Sequence, residues 1–246
     1  MSRFFENLPE NFKLPETAVE QKILKEYGAV FIAGNNVIPP NTIVFKNQSE
    51  VLSWQSGVPQ SKENIGGYDL QLQTPAMKAL KKAITEAEQN NLTITPRSAD
   101  SARRDYSGTV ELWASRVNPG LIHWVSIGKL SEIEAERIES LSPFEQVSEI
   151  LRLESQGIYF AKDLSKSIIY SVAPPGTSQH IAMLAFDVCE FDNPFVCEIL
   201  AKHGWFQTVI SDLPHFTYLG VSEKELDNLG LKKVSNEERI FWIPDI

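Results

Sequence analysis

Residues 175–187 read PGTSQHIAMLAFD, a polar turn that runs directly into an apolar stretch ending on a carboxylate. Pro175 and Gly176 punctuate the chain, and residues 183–186 are wholly apolar before Asp187. His180 and Asp187 are therefore polar side chains where a plain core would not place them. In a straight strand they would stand about 23 Å apart, at roughly 3.3 Å per residue; on a helix they would be about 10 Å apart along the axis. Neither brings both to one point, so a joint role requires residues 176–182 to curl back onto the strand that carries Asp187. A third such residue, His215, opens the apolar run of residues 216–219. Two imidazoles and a carboxylate make a three-ligand set for catalytic zinc, with a fourth position left for water. A lone His beside an apolar strand is ordinarily a hydrogen-bonded structural residue, and a lone Asp can cap a strand end, so spacing alone leaves both readings open.

Composition bounds the rest. The chain has 246 residues, which at about 150 per domain gives one large domain or two small ones. Its net charge of −9 excludes general nucleic-acid binding, which needs cations against phosphates, and disfavours an anionic membrane surface. Hydrophobic residues at 42 %, with 13 Phe and 5 Trp, suffice for a real core and exclude global disorder. The two cysteines, Cys189 and Cys197, rule out a disulfide framework or a four-cysteine zinc site and read as small buried residues. A metal must therefore use carboxylates and the four histidines, of which His123 and His203 take structural readings. No run of 18 apolar residues exists, so no transmembrane helix is expected. The start, MSRFFENLPENFKLPE, lacks the apolar core of a secretory signal, so the protein is expected in the cytoplasm unless a signal has been removed.

Local signals place the elements. Thr17 and Glu20 form a capping box for a helix over 17–27 that Gly28 ends. Residues 29–33 and 42–45 look like strands, split by Gly34-Asn35-Asn36 and by Pro39-Pro40, and 56–68 reads as loop. Thr74 and Pro75 open a helix that Asn90-Asn91 close, and a strand over 92–95 stops at Pro96. Tyr106, Val110, Trp113 and Val117 recur at helical spacing in 101–117. Residues 118–157 read as a helical insert with capping boxes at Ser131/Glu134 and Ser142/Glu145 and a stop at Gly157. Strands are expected over 167–173, 183–188, 208–210, 216–219 and 240–243, with one helix between Asn193-Pro194 and Gly204. Short strands segregated from helices give an α+β class. One domain is expected over 1–246, with 1–70 as an N-terminal extension packed on it.

Residues 175–187 together with 203–220, HGWFQTVISDLPHFTYLG, resemble the zinc D-alanyl-D-alanine carboxypeptidases of the vancomycin-resistance (VanY-like) type, and 68–115 resembles them more weakly. Ser178, His180, Ala185, Asp187 and His215 fall on positions of that family's motifs. The resemblance implies a Hedgehog/DD-peptidase-like fold in which a small antiparallel sheet carries the metal site, with His180, Asp187 and His215 as ligands of Zn2+. It also implies a general base three residues before the last His, here Asp212 where the family has Glu. That side chain is one methylene shorter, so its oxygens fall about 1 Å short unless the backbone compensates, and misplacement of that order costs about 10²-fold. Met183 stands where the family usually has Gly. The family's oxyanion Arg is matched by Arg97 in Thr95-Pro96-Arg97-Ser98, or by Arg103 and Arg104 in the stretch 101–106. A fixed guanidinium can stabilise an oxyanion or fork onto a terminal carboxylate.

What the resemblance implies is a zinc D,D-carboxypeptidase that takes the C-terminal D-Ala from peptidoglycan stem peptides, with Ser178 and Arg103 at the substrate. Such a role would place the protein in the cell envelope or periplasm. The near rivals are an L,D-carboxypeptidase, a dipeptidase or an endopeptidase on the same peptides, with 118–157 walling one end of the cleft. The rival from another class is a non-catalytic zinc-bearing peptide-binding domain. The sequence does not set an oligomeric state.

Overall fold

Capping chemistry fixes where the helices start. The Thr17 side chain accepts from the Glu20 amide at 3.1 Å while the Glu20 carboxylate takes the Thr17 amide at 3.0 Å, and α2 (Ala18–Tyr27) follows. It is preceded by a single turn, α1 (Arg3–Glu6), whose Phe4 is fully buried. Asn47 caps α3 (Gln48–Ser56). Pro75 sits in the first turn of α4 (Thr74–Gln89), where its missing N–H costs nothing. Asp105 caps α5 (Tyr106–Ser126) and Ser131 caps α6 (Glu132–Glu139); α7 (Glu145–Glu154) follows one turn after Ser142. Asn193 accepts from the amides of Phe195 and Val196 to open α8 (Pro194–Lys202). The structure is a computed structural model that describes residues 2–34, 36–236 and 239–246, so Asn35 of the expected 34–36 turn lies outside the described residues.

The class is mixed α+β with small antiparallel sheets. β1 (Gln60–Ile65) and β2 (Tyr68–Gln73) form a hairpin, β6 (Leu231–Asn236) and β7 (Arg239–Pro244) form another, and β3 (Ala185–Asp187), β5 (His215–Tyr218) and β4 (Trp205–Gln207) form the central sheet in that order. In the central sheet Asp187 lies directly opposite His215, and Phe206 opposite Thr217.

Several expected strands are something else. Residues 29–33 and 167–173 hold short 3₁₀ helices, Gly28–Ile32 and Ile168–Tyr170. Both are apolar runs attached to a turn rather than to a partner strand, so burial is met without a ladder. Residues 42–45 form no strand, and the Phe45 amide donates to Gly176 O at 3.0 Å. Residues 92–95 and 208–210 lie beside the sheet, not in it; the ladder strand is Trp205–Gln207. The expected loop at 56–68 instead contains β1 and the Gly66-Gly67 turn, both glycines at positive φ.

Two buried clusters hold the fold. The larger packs Phe4, Ile23 and Leu24 with α4 and the apolar residues of the central sheet. The second joins Trp113, Val117 and Leu121 of α5 to α6, α7 and the 158–169 segment. Val117 and Leu121 are 0 % and 1 % exposed, each burial worth about 1.5–3 kcal/mol. Among the described residues no helix is long and apolar enough to cross a membrane.

Candidate metal centre

The polar turn curls as the spacing demands. After Ser178 the chain makes a 3₁₀ turn, Gln179–Ala182, then Met183 takes a left-handed conformation (φ 54°, ψ 34°) and β3 begins two residues later. Gly176, at φ +74°, starts the turn; a Cβ there would sit 1.9 Å from Phe45 O, so only glycine lets the two segments approach. Buried amides then pin the turn's carbonyls. Gln55 Nε2 donates to Ile181 O at 3.0 Å, Gln73 Nε2 to Ala182 O at 2.9 Å, and the Gln73 amide to Met183 O at 3.0 Å. The Arg104 amide reaches His180 O at 3.3 Å.

This brings His180, Asp187 and His215 together, with one ligand atom of each lying within 4.8 Å of the others. His180 Nε2 is 3.3 Å and His215 Nδ1 3.1 Å from Asp187 Oδ1, and the rings meet edge to face at 4.9 Å between centroids. Both histidines are buried, at 3 % and 4 % exposure. The outer nitrogens decide the tautomers. His180 Nδ1 lies 3.2 Å from Ala102 O, an atom that can only accept, so the proton sits on Nδ1. His215 Nε2 lies 3.0 Å from Gln179 Oε1, and Gln179 is oriented by its Nε2 donating to Tyr27 O at 2.8 Å and to Thr208 Oγ1 at 3.3 Å. Its oxygen also accepts from Thr217 Oγ1. Each ring thus spends its proton outward, and two nitrogen lone pairs converge on a carboxylate oxygen.

Electrostatics agree with the geometry. Burial alone would raise the Asp187 carboxyl, but the two imidazoles hold it well below the usual carboxylate range. Burial, with the Arg104 charge adding to it, lowers His180 against the opposing pull of Asp187. The Asp187 carboxylate is therefore held ionised between the two rings. Ligand atoms at about 2.0–2.2 Å from a tetrahedral zinc lie about 3.4 Å from one another, close to the spacings found here. The outward imidazole N–H bonds to Ala102 O and Gln179 Oε1 are the supporting contacts such sites use. The residues present fit a divalent ion.

The other residues singled out by sequence fall in three places. Arg104 adjoins the centre: its Nη1 donates to Ser178 Oγ at 3.3 Å, its Nη2 meets Asp100 at 3.3 Å, and its buried Nε finds no partner among the described residues. Arg103 donates to Gln55 Oε1 at 2.9 Å and Gln71 Oε1 at 3.1 Å. Both arginines line a cleft of about 580 Å³ with Lys62, Asp69 and Glu111. The helical wall of this cleft comes from the first half of α5 (Gly108, Glu111, Leu112). The Arg97 side chain is exposed, and only its amide approaches, at 3.2 Å from Asp187 O. Asp212 is also exposed; its carbonyl accepts from the His215 amide at 3.1 Å, and its carboxylate bonds none of the three cluster residues. His203 pairs with Glu86 at 2.8 Å and His123 meets Trp124 edge to face, both away from the cluster. Cys189 is exposed, not buried as expected.

Sequence reasoning missed Gln55, Gln73 and Gln179, the amides that hold the turn and orient His215. Only Gln179, inside the Ser-x-His stretch, carried a positional hint.

No protein-family model matches the chain, and no curated protein does. A solved structure of the LdcB LD-carboxypeptidase, described as revealing the molecular basis of peptidoglycan recognition, is similar over 64 % of this chain and 64 % of that one, at 15 % identity and a TM-score of 0.35. The chain thus spans just under two thirds of that protein's length.

Proposed function

We propose that the chain is a zinc-dependent D,D-carboxypeptidase that removes the terminal D-alanine of peptidoglycan stem peptides, with the Hedgehog/DD-peptidase-like fold the motifs imply. It would act in the cell envelope, as one domain over 1–246 with 1–70 packed against it and 118–157 as a helical insert. The observation that carries this reading is the convergence of His180 Nε2, His215 Nδ1 and Asp187 Oδ1 with both imidazole protons turned outward. Three lone-pair donors in a buried pocket repel one another unless a cation sits between them.

His180, Asp187 and His215 would hold the zinc, which when bound supplies Lewis acidity at a scissile carbonyl and lowers the pKa of water. Asp212, fixed three residues ahead of His215, takes the proton of the attacking water and returns it to the leaving amine. Arg104 is the best placed of the three arginines to meet a developing oxyanion, because its guanidinium reaches Ser178 beside His180. Arg103, anchored on Gln55 and Gln71 in the same cleft, suits a substrate's terminal carboxylate. Ser178 steadies Arg104 at the substrate.

The test is D-alanine release from a pentapeptide ending in D-Ala-D-Ala, using zinc-loaded protein. Asp212→Ala should lower kcat by about 10²-fold or more, the usual share of general acid–base catalysis. Equal release by that variant would sink Asp212's role, and release of a different residue would assign the L,D or endopeptidase specificity. The exposed carboxylate of Asp212 favours one second reading, a zinc-bearing peptide-binding domain. Stoichiometric zinc with tight peptide binding and no turnover would select it.

A further inference from the structure

Tyr218 turns away from the metal centre. Side chains alternate along a strand, so His215 and Thr217 of β5 meet Gln179 on one face of the central sheet while Phe216 and Tyr218 point to the other. The Tyr218 side chain is buried, at 7 % exposure, and its ring passes between two glycines. A Cβ on Gly204 would come within 3.3 Å of the ring's Cε2, and one on Gly220 within 3.2 Å of its Cε1. Tyr218 Oη has no hydrogen-bond partner among the described residues. The unpartnered side-chain atoms that are sealed from solvent are Ser2 Oγ, Arg104 Nε and Trp205 Nε1, so the Tyr218 hydroxyl, also unpartnered, is open at its tip. Burial raises the phenol above its ordinary value, so at neutral pH it is a hydroxyl with a proton to donate.

The ring emerges in a cleft of about 590 Å³ between α4, the end of α8 and the 220–225 turn. That volume lies within the range of roughly 300–1,000 Å³ typical of small-molecule sites. The chain carries a net charge of −9, yet this cleft is lined by Lys78, Lys82, Lys202 and His203 against one acid, Glu225. Glu225 is spent on Ser222, whose amide and hydroxyl it accepts at 2.9 and 2.7 Å. Lys202 and His203 share Glu86, at 2.6 and 2.8 Å. Lys78 and Lys82 are exposed and have no ion pair or hydrogen bond among the described residues. Four residues apart on α4, they repel one another across a helical turn, a cost that an anion beside them removes. Two unpaired cations and an open, unpartnered hydroxyl on a fixed ring thus face one cleft.

We propose that this cleft binds a small organic molecule through an oxyanion, carboxylate or phosphate, that accepts from the Tyr218 hydroxyl and lies against Lys78 and Lys82. Pro75, Ala79 and Val221 supply an apolar wall for the rest of the ligand. The site uses the sheet face turned away from the metal centre and stands whether or not the chain is a peptidase.

The test uses the full chain, uniformly labelled with nitrogen-15, titrated in turn with phenyl phosphate, benzoate and benzyl alcohol while the backbone amides of Gly204 and Gly220 are followed. These amides report this cleft and not an anion held at the metal centre or on Arg103 and Arg104. At least one of the two anions should move both amides, and the tighter of the pair names the oxyanion. Benzyl alcohol should bind about ten-fold more weakly or worse, because it lacks the charge-assisted hydrogen bond and the lysine attraction. Tyr218→Phe, which keeps the ring and loses the donor, should weaken the anion about ten-fold, the share of one hydrogen bond to a charged group. Lys78→Ala combined with Lys82→Ala should weaken it about five-fold, and added salt should shrink that difference. The proposal is overturned if neither anion moves the two amides, if the alcohol binds as tightly as the anion, or if either variant binds as the wild type does. If Tyr218→Phe does not fold, the exposed lysine variant and the three probes on the wild-type chain still decide.

Discussion

Met183 shows how one residue can carry a backbone cost for a site. It sits at φ 54° between the 3₁₀ turn bearing His180 and the strand bearing Asp187, and its side chain is fully buried. The left-handed conformation costs an unbranched L-residue about 1–2 kcal/mol, which glycine does not bear. The usual order of small residues should therefore invert here. Met183→Gly and Met183→Ala both empty buried volume and both destabilise, by roughly 2–5 kcal/mol for the alanine. The glycine variant should be the more stable of the two by about 1 kcal/mol, measured by urea unfolding. A more stable alanine variant would show that the turn bears no strain. The sequence made the position visible, because Met stands where the resembling family has Gly, but not its conformation. Gln179 lay within the Ser-x-His stretch, but its role was not legible: a glutamine's use of both amide ends, one on Tyr27 O and one on His215, exists only once distant segments meet.

At the scale of elements, local chemistry was readable and partner choice was not. The caps at Thr17, Ser131 and Asn193 act within a few residues, and each starts its helix where the sequence places it. The β1–β2 hairpin was read as loop because QSKENI is polar, although Gly66-Gly67 was an available two-residue turn signal. The link from α7 to the 158–168 segment was likewise silent. Glu154 there accepts from the amides of Phe160 at 3.3 Å and Ile168 at 2.6 Å, and from Ser167 Oγ, on a side chain that is almost wholly buried. Glu154→Ala orphans two buried amides and should destabilise the fold by about 2–4 kcal/mol. Glu154→Gln keeps one oxygen on both amides and can offer its NH₂ to the Ser167 hydroxyl, so it should cost less. The pH dependence separates the pair further. Burial raises the Glu154 carboxyl above its ordinary value despite the hydrogen bonds it accepts. Its contribution is therefore full below the ordinary Glu pKa and fades as pH rises through the raised folded value. Stability measured from acid to neutral pH should move in favour of Glu154→Gln as pH rises; a constant difference would contradict the burial cause.

For the whole molecule, the metal centre is where chain segments remote in sequence are tied together: His180 rests on Ala102, His215 on Gln179, and Gln179 on Tyr27. An ion that binds this arrangement and not the unfolded chain must stabilise all of it, by about 2.7 kcal/mol at a free concentration one hundred times Kd. For a chain of this length each kcal/mol moves Tm by about 2–4 °C, so zinc should raise the melting midpoint by about 5–10 °C, and a chelator should reverse the rise. His180→Ala removes one ligand and should lose both the shift and stoichiometric zinc by elemental mass spectrometry. Gln179→Ala is the more searching variant. It leaves all three ligands in place and removes the acceptor that turns the His215 proton outward, so the zinc-induced shift should shrink without vanishing, consistent with the roughly 10–100-fold loss of affinity that follows loss of such a supporting contact. A wild-type chain that neither gains stability nor retains zinc would overturn the reading of His180, Asp187 and His215 as a metal centre.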